Sequence, residues 1–217
     1  AGEDVCTACH SEQADSYTKS PHAALSDAAR PEPSRGCEAC HGAGQEHADA
    51  GGGKGVGGIQ AFTRSRPAAE RAAPCLTCHA GASSLHDWRR GEHAVSGVAC
   101  TDCHRMHQGV GERLLAKKTT ELCSGCHLEV RAKLSLPEHH KVNEGVVSCL
   151  DCHQPHGSKS PRLLHGANDR GCFRCHGKLV KSGTTQLLPG TMGGNSCLSC
   201  HGFGQGSQIQ ISGSDPT

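Results

Sequence analysis

The sequence predicts a fold of short α-helices joined by irregular links, with little or no β-sheet and a core that side chains alone do not build. Three observations lead there. Of 217 residues only 35% are hydrophobic, glycine not counted, and 2% aromatic, so few large side chains are available to fill a core. Twenty-nine glycines and ten prolines interrupt the chain, so long helices and strands have little room. All sixteen cysteines fall into one repeated five-residue pattern. Something other than side chains must fill the interior.

The pattern is C-x-x-C-H. In chain order its members are Cys6, Cys9 and His10; Cys37, Cys40 and His41; Cys75, Cys78 and His79; Cys100, Cys103 and His104; Cys123, Cys126 and His127; Cys149, Cys152 and His153; Cys172, Cys175 and His176; Cys197, Cys200 and His201. No cysteine is left over. A zinc site pairs one C-x-x-C with a second ligand pair and does not require a His after every second Cys. A disulfide scaffold has no reason to space its cysteines only three apart. The pattern matches c-type haem attachment in full: two thiols add to the two vinyl groups of one haem, and the adjacent imidazole becomes the proximal iron ligand. The expected fold is therefore a multihaem cytochrome c whose core is a chain of eight stacked, covalently attached haems. Successive motifs begin 31, 38, 25, 23, 26, 23 and 25 residues apart, too little chain to wrap each haem alone. By analogy with small metal-dependent domains, the haem-free chain is not expected to fold.

Between the motifs lie the candidates for the second axial ligand. A second His gives a closed, low-potential carrier, Met raises the potential, and an open position binds substrate. Eight of seventeen histidines are proximal, leaving His22, His47, His86, His93, His107, His139, His140, His156 and His165. His139 and His140 are neighbours and count once, with His140 preferred, so eight candidates face eight irons. Of the two methionines, Met106 reads as packing, and Met192 is an alternative ligand for the last haem.

The links read as loops. "GGGKGVGG" at 51–58 is a flexible glycine-rich solvent loop, since Lys54 is followed by Gly and not by the Ser or Thr of a phosphate loop. Helical spacing of apolar and charged residues runs through 111–136, and 205–217 is a polar tail in which "SQIQIS" alone has strand character. The whole of 1–217 reads as one elongated domain. No run approaches the ~18 apolar residues of a membrane helix, and Ala1 suits a cut after a small residue. The net charge of +1 points to neither nucleic acid nor a membrane surface, and haem propionates would turn it acidic.

Four stretches, "DVCTACHSEQADSYTKSPHAAL", "GCEACHGAGQEHADAGG", "LTCHAGASSLHDWRRGEHAVSGVACTDCHRMH" and "HHKVNEGVVSCLDCHQPHGS", resemble in order the decahaem periplasmic cytochromes of outer-membrane porin–cytochrome conduits (the MtrA/DmsE type). The resemblance implies distal ligation by His22, His47, His93, His107, His140 and His156, other cytochromes as partners, and a β-barrel porin around part of the protein. Two departures stand out. There are eight motifs instead of ten, and Gln205 stands where the family's closing segment has a His. Either His165 supplies that imidazole, or one iron is open or has an unusual ligand.

These readings give an electron-transfer protein, not an enzyme, exported to the periplasm, outer membrane or cell exterior. Rivals are a subunit of a filament built from copies of itself, and a multihaem oxidoreductase with one open iron.

Overall fold

The computed structural model describes residues 1–30, 35–107, 112–166 and 170–181. The readings on the eighth motif, on Met192 and Gln205, and on the tail lie outside them. The backbone groups into two compact units, residues 1–118 and 119–217. The first holds α1 (Glu3–Thr7), α2 (Ser11–Thr18), α3 (Glu38–His41), α4 (Gln45–Asp49), α5 (Ala68–His79), α6 (Glu92–Val95) and α7 (Cys100–Cys103). The second holds α8 (Thr119–Ser124), α9 (Leu128–Lys133), α10 (Cys149–Cys152) and α11 (Arg170–Lys181). Single 3₁₀ turns punctuate the links, at Pro21–Ser26, Val56–Gly58, Ser83–Leu85, Trp88–Arg90, Glu112–Leu114 and Pro161–Leu163. Among the described residues there is no strand, and pairing is confined to isolated bridges at His104–Leu115 and His153–Leu164. A fold of short helices without a sheet is what the composition predicts.

Five of the described attachment motifs close a helical turn of their own, while the third and seventh lie within the longer α5 and α11. The histidine N–H donates to the carbonyl of the first cysteine in His10–Cys6 (3.0 Å), His41–Cys37 (3.0 Å), His104–Cys100 (2.8 Å), His127–Cys123 (2.9 Å) and His153–Cys149 (3.0 Å). Residues three apart then share a face, which puts both thiols on one side. This local demand also breaks the helical pattern of 111–136: the fifth motif closes its own turn between α8 and α9.

Two of the turns are capped alike. Asp102 Oδ2 accepts from the Ala99 N–H at 2.8 Å and Asp151 Oδ2 from the Ser148 N–H at 2.7 Å, the carboxylate half of a capping box. Asp102 also locks α7 to α5, since Arg71 Nη1 donates to Asp102 Oδ2 at 3.0 Å and Arg64 Nε to Asp102 Oδ1 at 3.0 Å. Burial pushes the Asp102 carboxyl up, but the Ala99 N–H and the two guanidiniums outweigh it and hold the group below its ordinary range.

The buried apolar side chains are few: Ala72, Trp88, Ala99, Leu134, Val142 and Leu163 among the described residues. Val146 and Val95 are instead 72% and 70% exposed.

The glycine-rich stretch at 51–58 is exposed at six of its eight residues, as a solvent loop would be, and it also seats against α4. Gly57 has φ +67°, and a Cβ there would collide with the backbone of Glu46 and His47. Only glycine allows that approach.

Candidate haem-binding sites

The structure assembles imidazoles from distant parts of the chain into pairs. Ring centres are 6.3 Å apart in His10–His47, 6.1 Å in His22–His79, 6.2 Å in His41–His107 and 6.1 Å in His140–His176. Each pair joins one proximal histidine to one distal candidate, and no pair joins two of a kind. Two imidazoles bound through nitrogens about 2 Å from one metal ion have ring centres about 6 Å apart. The spacing therefore fits an iron between each pair.

Tautomers agree with the spacing. A ring whose Nδ1–H is held by an acceptor keeps its Nε2 lone pair for a metal. Nδ1 meets a backbone carbonyl in His41 (Gln60 O, 3.0 Å), His47 (Val56 O, 3.1 Å), His104 (Arg113 O, 2.8 Å), His107 (Gln13 O, 3.2 Å) and His153 (Arg162 O, 2.8 Å). The backbone of α2 thus orients a ligand candidate 94 residues away. Burial holds His41 below the ordinary imidazole range against the opposing Gln60 contact. His22 is lowered by burial and then by His79. Both are kept neutral, the form that ligates metal. The His22 Nδ1 is buried with no hydrogen-bond partner.

The remaining candidates sort by the same geometry. His139 is engaged at both nitrogens, Nδ1 with Leu136 O at 2.5 Å and Nε2 with Glu144 Oε1 at 3.1 Å, while its neighbour His140 faces His176. His165 presents Nε2 to Leu150 O at 2.7 Å. His86 is exposed with Nδ1 3.2 Å from Asp87 Oδ1, which leaves Nε2 pointed away from that contact. His93 on α6 and His156 in the turn after α10 are half-buried.

Cysteines of successive motifs also approach one another. Thiols hydrogen-bond in Cys6–Cys37, Cys75–Cys100 and Cys123–Cys149, always the first cysteine of each motif. Cys40 and Cys78 lie near enough to interact electrostatically, as do Cys152 with Cys172 and Cys175. Burial, then Cys6, pushes the Cys37 thiol up to about 11. The bond from Cys75 lowers Cys100 below the ordinary thiol range, and the bond from Cys123 does the same for Cys149.

Paired thiols on one helical turn, an adjacent imidazole, and a second imidazole at metal-bridging distance define a c-type haem protein with several haems. Comparison with known proteins agrees. The family described as a doubled CXXCH motif matches residues 93–132 and 139–181. Multiheme cytochrome MtrA of Shewanella baltica (strain OS185) is 30% identical over 142 residues, 64% of this chain. Both comparisons support a multihaem c-type cytochrome similar to MtrA. It spans 41% of the length of that relative.

The pairing itself was not visible in the sequence. Distal candidates could be counted there, but His22, between the first two motifs, pairs with the third, and His107, after the fourth, pairs with the second. The carbonyl acceptors carry no side-chain signal at all. One clue was present: "DCHRMHQGVGERLLA" and "DCHQPHGSKSPRLLH" place Arg-Leu-Leu at equal distance from their motifs.

Proposed function

We propose that this chain is an electron relay. It carries eight covalent haems c, one per motif, and holds them through pairs of histidines so that no iron is open to substrate. The imidazole pairs support this reading most directly, because two protein ligands on an iron favour outer-sphere electron transfer over substrate binding. Bound haem supplies a one-electron ferric/ferrous couple. The chain's own part is to close the sixth position, set ligand basicity through Nδ1 contacts, and bring neighbouring motifs together. The bonded cysteine pairs join the first motif to the second, the third to the fourth and the fifth to the sixth, and the electrostatic neighbours Cys40–Cys78 and Cys152–Cys172 support a relay order that follows the chain within each unit.

The ligand set proposed is the eight proximal histidines with His22, His47, His107 and His140 from the imidazole pairs, and His86, His93, His156 and His165 from the ligand count. The resemblance to conduit cytochromes supports exported residence, other cytochromes as redox partners, and association with an outer-membrane β-barrel porin. The relay is read as one continuous body over 1–217.

The test is a mass spectrum of the mature protein with a low-temperature EPR spectrum of its oxidised form, before and after cyanide. Eight haems, all low-spin and unchanged by cyanide, are expected. A high-spin signal near one equivalent that shifts with cyanide would overturn the closed-ligand reading and favour an oxidoreductase with one open iron.

A further inference from the structure

Eleven glycines with positive φ occur among the described residues, and only four other residues share that property: Arg113 (φ 57°), Leu114 (φ 59°), Arg162 (φ 58°) and Leu163 (φ 56°). They form two consecutive pairs, one in each unit, at the same place in an internal repeat. A left-handed backbone brings the Cβ of an L-residue against the following carbonyl, so two such residues in succession persist only where the surroundings impose them.

What the strain achieves is the same in both places. The carbonyl of Arg113 accepts from His104 Nδ1 at 2.8 Å, and that of Leu114 accepts from the Arg105 N–H at 2.7 Å. The carbonyl of Arg162 accepts from His153 Nδ1 at 2.8 Å, and that of Leu163 from the Gln154 N–H at 2.6 Å. Two residues further on, the N–H of Ala116 reaches Cys103 O at 2.8 Å, and that of His165 reaches Cys152 O at 3.0 Å. The turn thus grips the attachment motif at three successive points and aims one carbonyl at the ligand ring. The second residue cannot be glycine without loss, because Leu163 is buried and Leu114 is half-buried. The arginine position is exposed in both.

We propose that these two left-handed Arg-Leu turns are positioning elements for the proximal ligands His104 and His153. Each fixes the rotation of its imidazole and, through the Nδ1–H to carbonyl bond, raises the ring's basicity and lowers the potential of its iron. The proposal rests on the haem reading of the two motifs. A hydrogen bond to the outer nitrogen of a metal-bound imidazole makes it a stronger donor, and ligand strength is one of the levers on haem potential.

The test uses the haem-loaded full chain with Arg113→Gly, Arg113→Ala and Arg113→Val, and the same three changes at Arg162. Glycine adopts the left-handed region readily and alanine removes only the guanidinium. A β-branched valine resists that region. In a potentiometric titration followed by EPR, the Gly and Ala variants are expected to match the parent, and each Val variant to move one haem to higher potential while the others stay. Val variants with lowered melting temperature but unchanged potentials would reduce the turn to a structural role and overturn the proposal. So would Gly or Ala variants that shift as Val does. If a Val variant fails to fold, hydrogen exchange of the ring N–H of His104 and His153 in the parent decides: protected protons are expected, and rapid exchange of both sinks the idea. Loss of the haem spectrum in the parent itself would instead refute the haem reading.

Discussion

Ring orientation divides the imidazole pairs into two kinds. The planes are 19° apart in His10–His47 and 29° in His41–His107, but 76° in His22–His79 and 60° in His140–His176. Near-parallel ligand planes split the iron d-orbitals strongly, and near-perpendicular planes leave them almost degenerate. The oxidised protein should therefore show ordinary rhombic low-spin signals alongside highly anisotropic ones, and a spectrum holding only one class would contradict the ring geometry. The adjacent histidines in unit two provide a sharper contrast. His140→Ala should open one iron and give one high-spin haem that binds cyanide. His139→Ala removes only the Glu144 and Leu136 contacts and should leave every haem low-spin. The sequence could prefer His140 but could not exclude its neighbour, because the deciding contact with Glu144 exists only once 136–144 has turned back on itself.

At the scale of elements, the most sequence-legible parts are the motif turns, and the least legible are the links that position the distal ligands. The 51–58 stretch shows why. Six glycines in eight residues read as solvent loop because glycine content alone cannot distinguish freedom from close approach. Here Gly57 lies against the backbone of α4, and Val56 offers its carbonyl to His47. Gly57→Ala should cost about 1–3 kcal/mol for the left-handed backbone, with the added clash on top. Thermal unfolding of the haem-loaded protein measures it, and the low-spin fraction should fall if the His47 ring is displaced. The clamp between α5 and α7 is a second case. The side chains of Arg71 and Asp102 are 5% and 12% exposed, so solvent screens their pairing little. Arg71→Met should cost about 1.5–3 kcal/mol, the worth of a hydrogen bond to a charged group, since Arg64 and the Ala99 N–H still hold the carboxylate. Asp102 sits below its ordinary range, so the pair's contribution is in place above the unfolded carboxylate pKa of about 4 and is lost as pH falls through the lower folded value. The parent should therefore lose melting temperature in that acid window more steeply than Arg71→Met does.

The molecule as a whole poses the question of what holds it together. Half a dozen buried apolar side chains among the described residues, two of them alanines, cannot offset the ordering of a chain this long, which costs about 1–2 kcal/mol per residue in backbone entropy alone. The helices add little independent stability, since the longest described run to 12 residues and isolated helices of that length are marginal in water. Yet Val146, Val95 and Leu128 stand 72%, 70% and 63% exposed, apolar surface placed near the attachment motifs and not used by protein packing. Haems bound at the motifs would supply the missing apolar area, and composition announces the fold class while sequence alone does not locate the core. Exported chain made in cells lacking the haem-attachment machinery should therefore show a coil-like circular dichroism spectrum, no cooperative melt and rapid proteolysis. The loaded protein should melt cooperatively at a temperature that reducing agents alone do not abolish, because its crosslinks are thioethers. A haem-free chain that melts cooperatively would show that side chains suffice and would remove the argument for a haem-built interior.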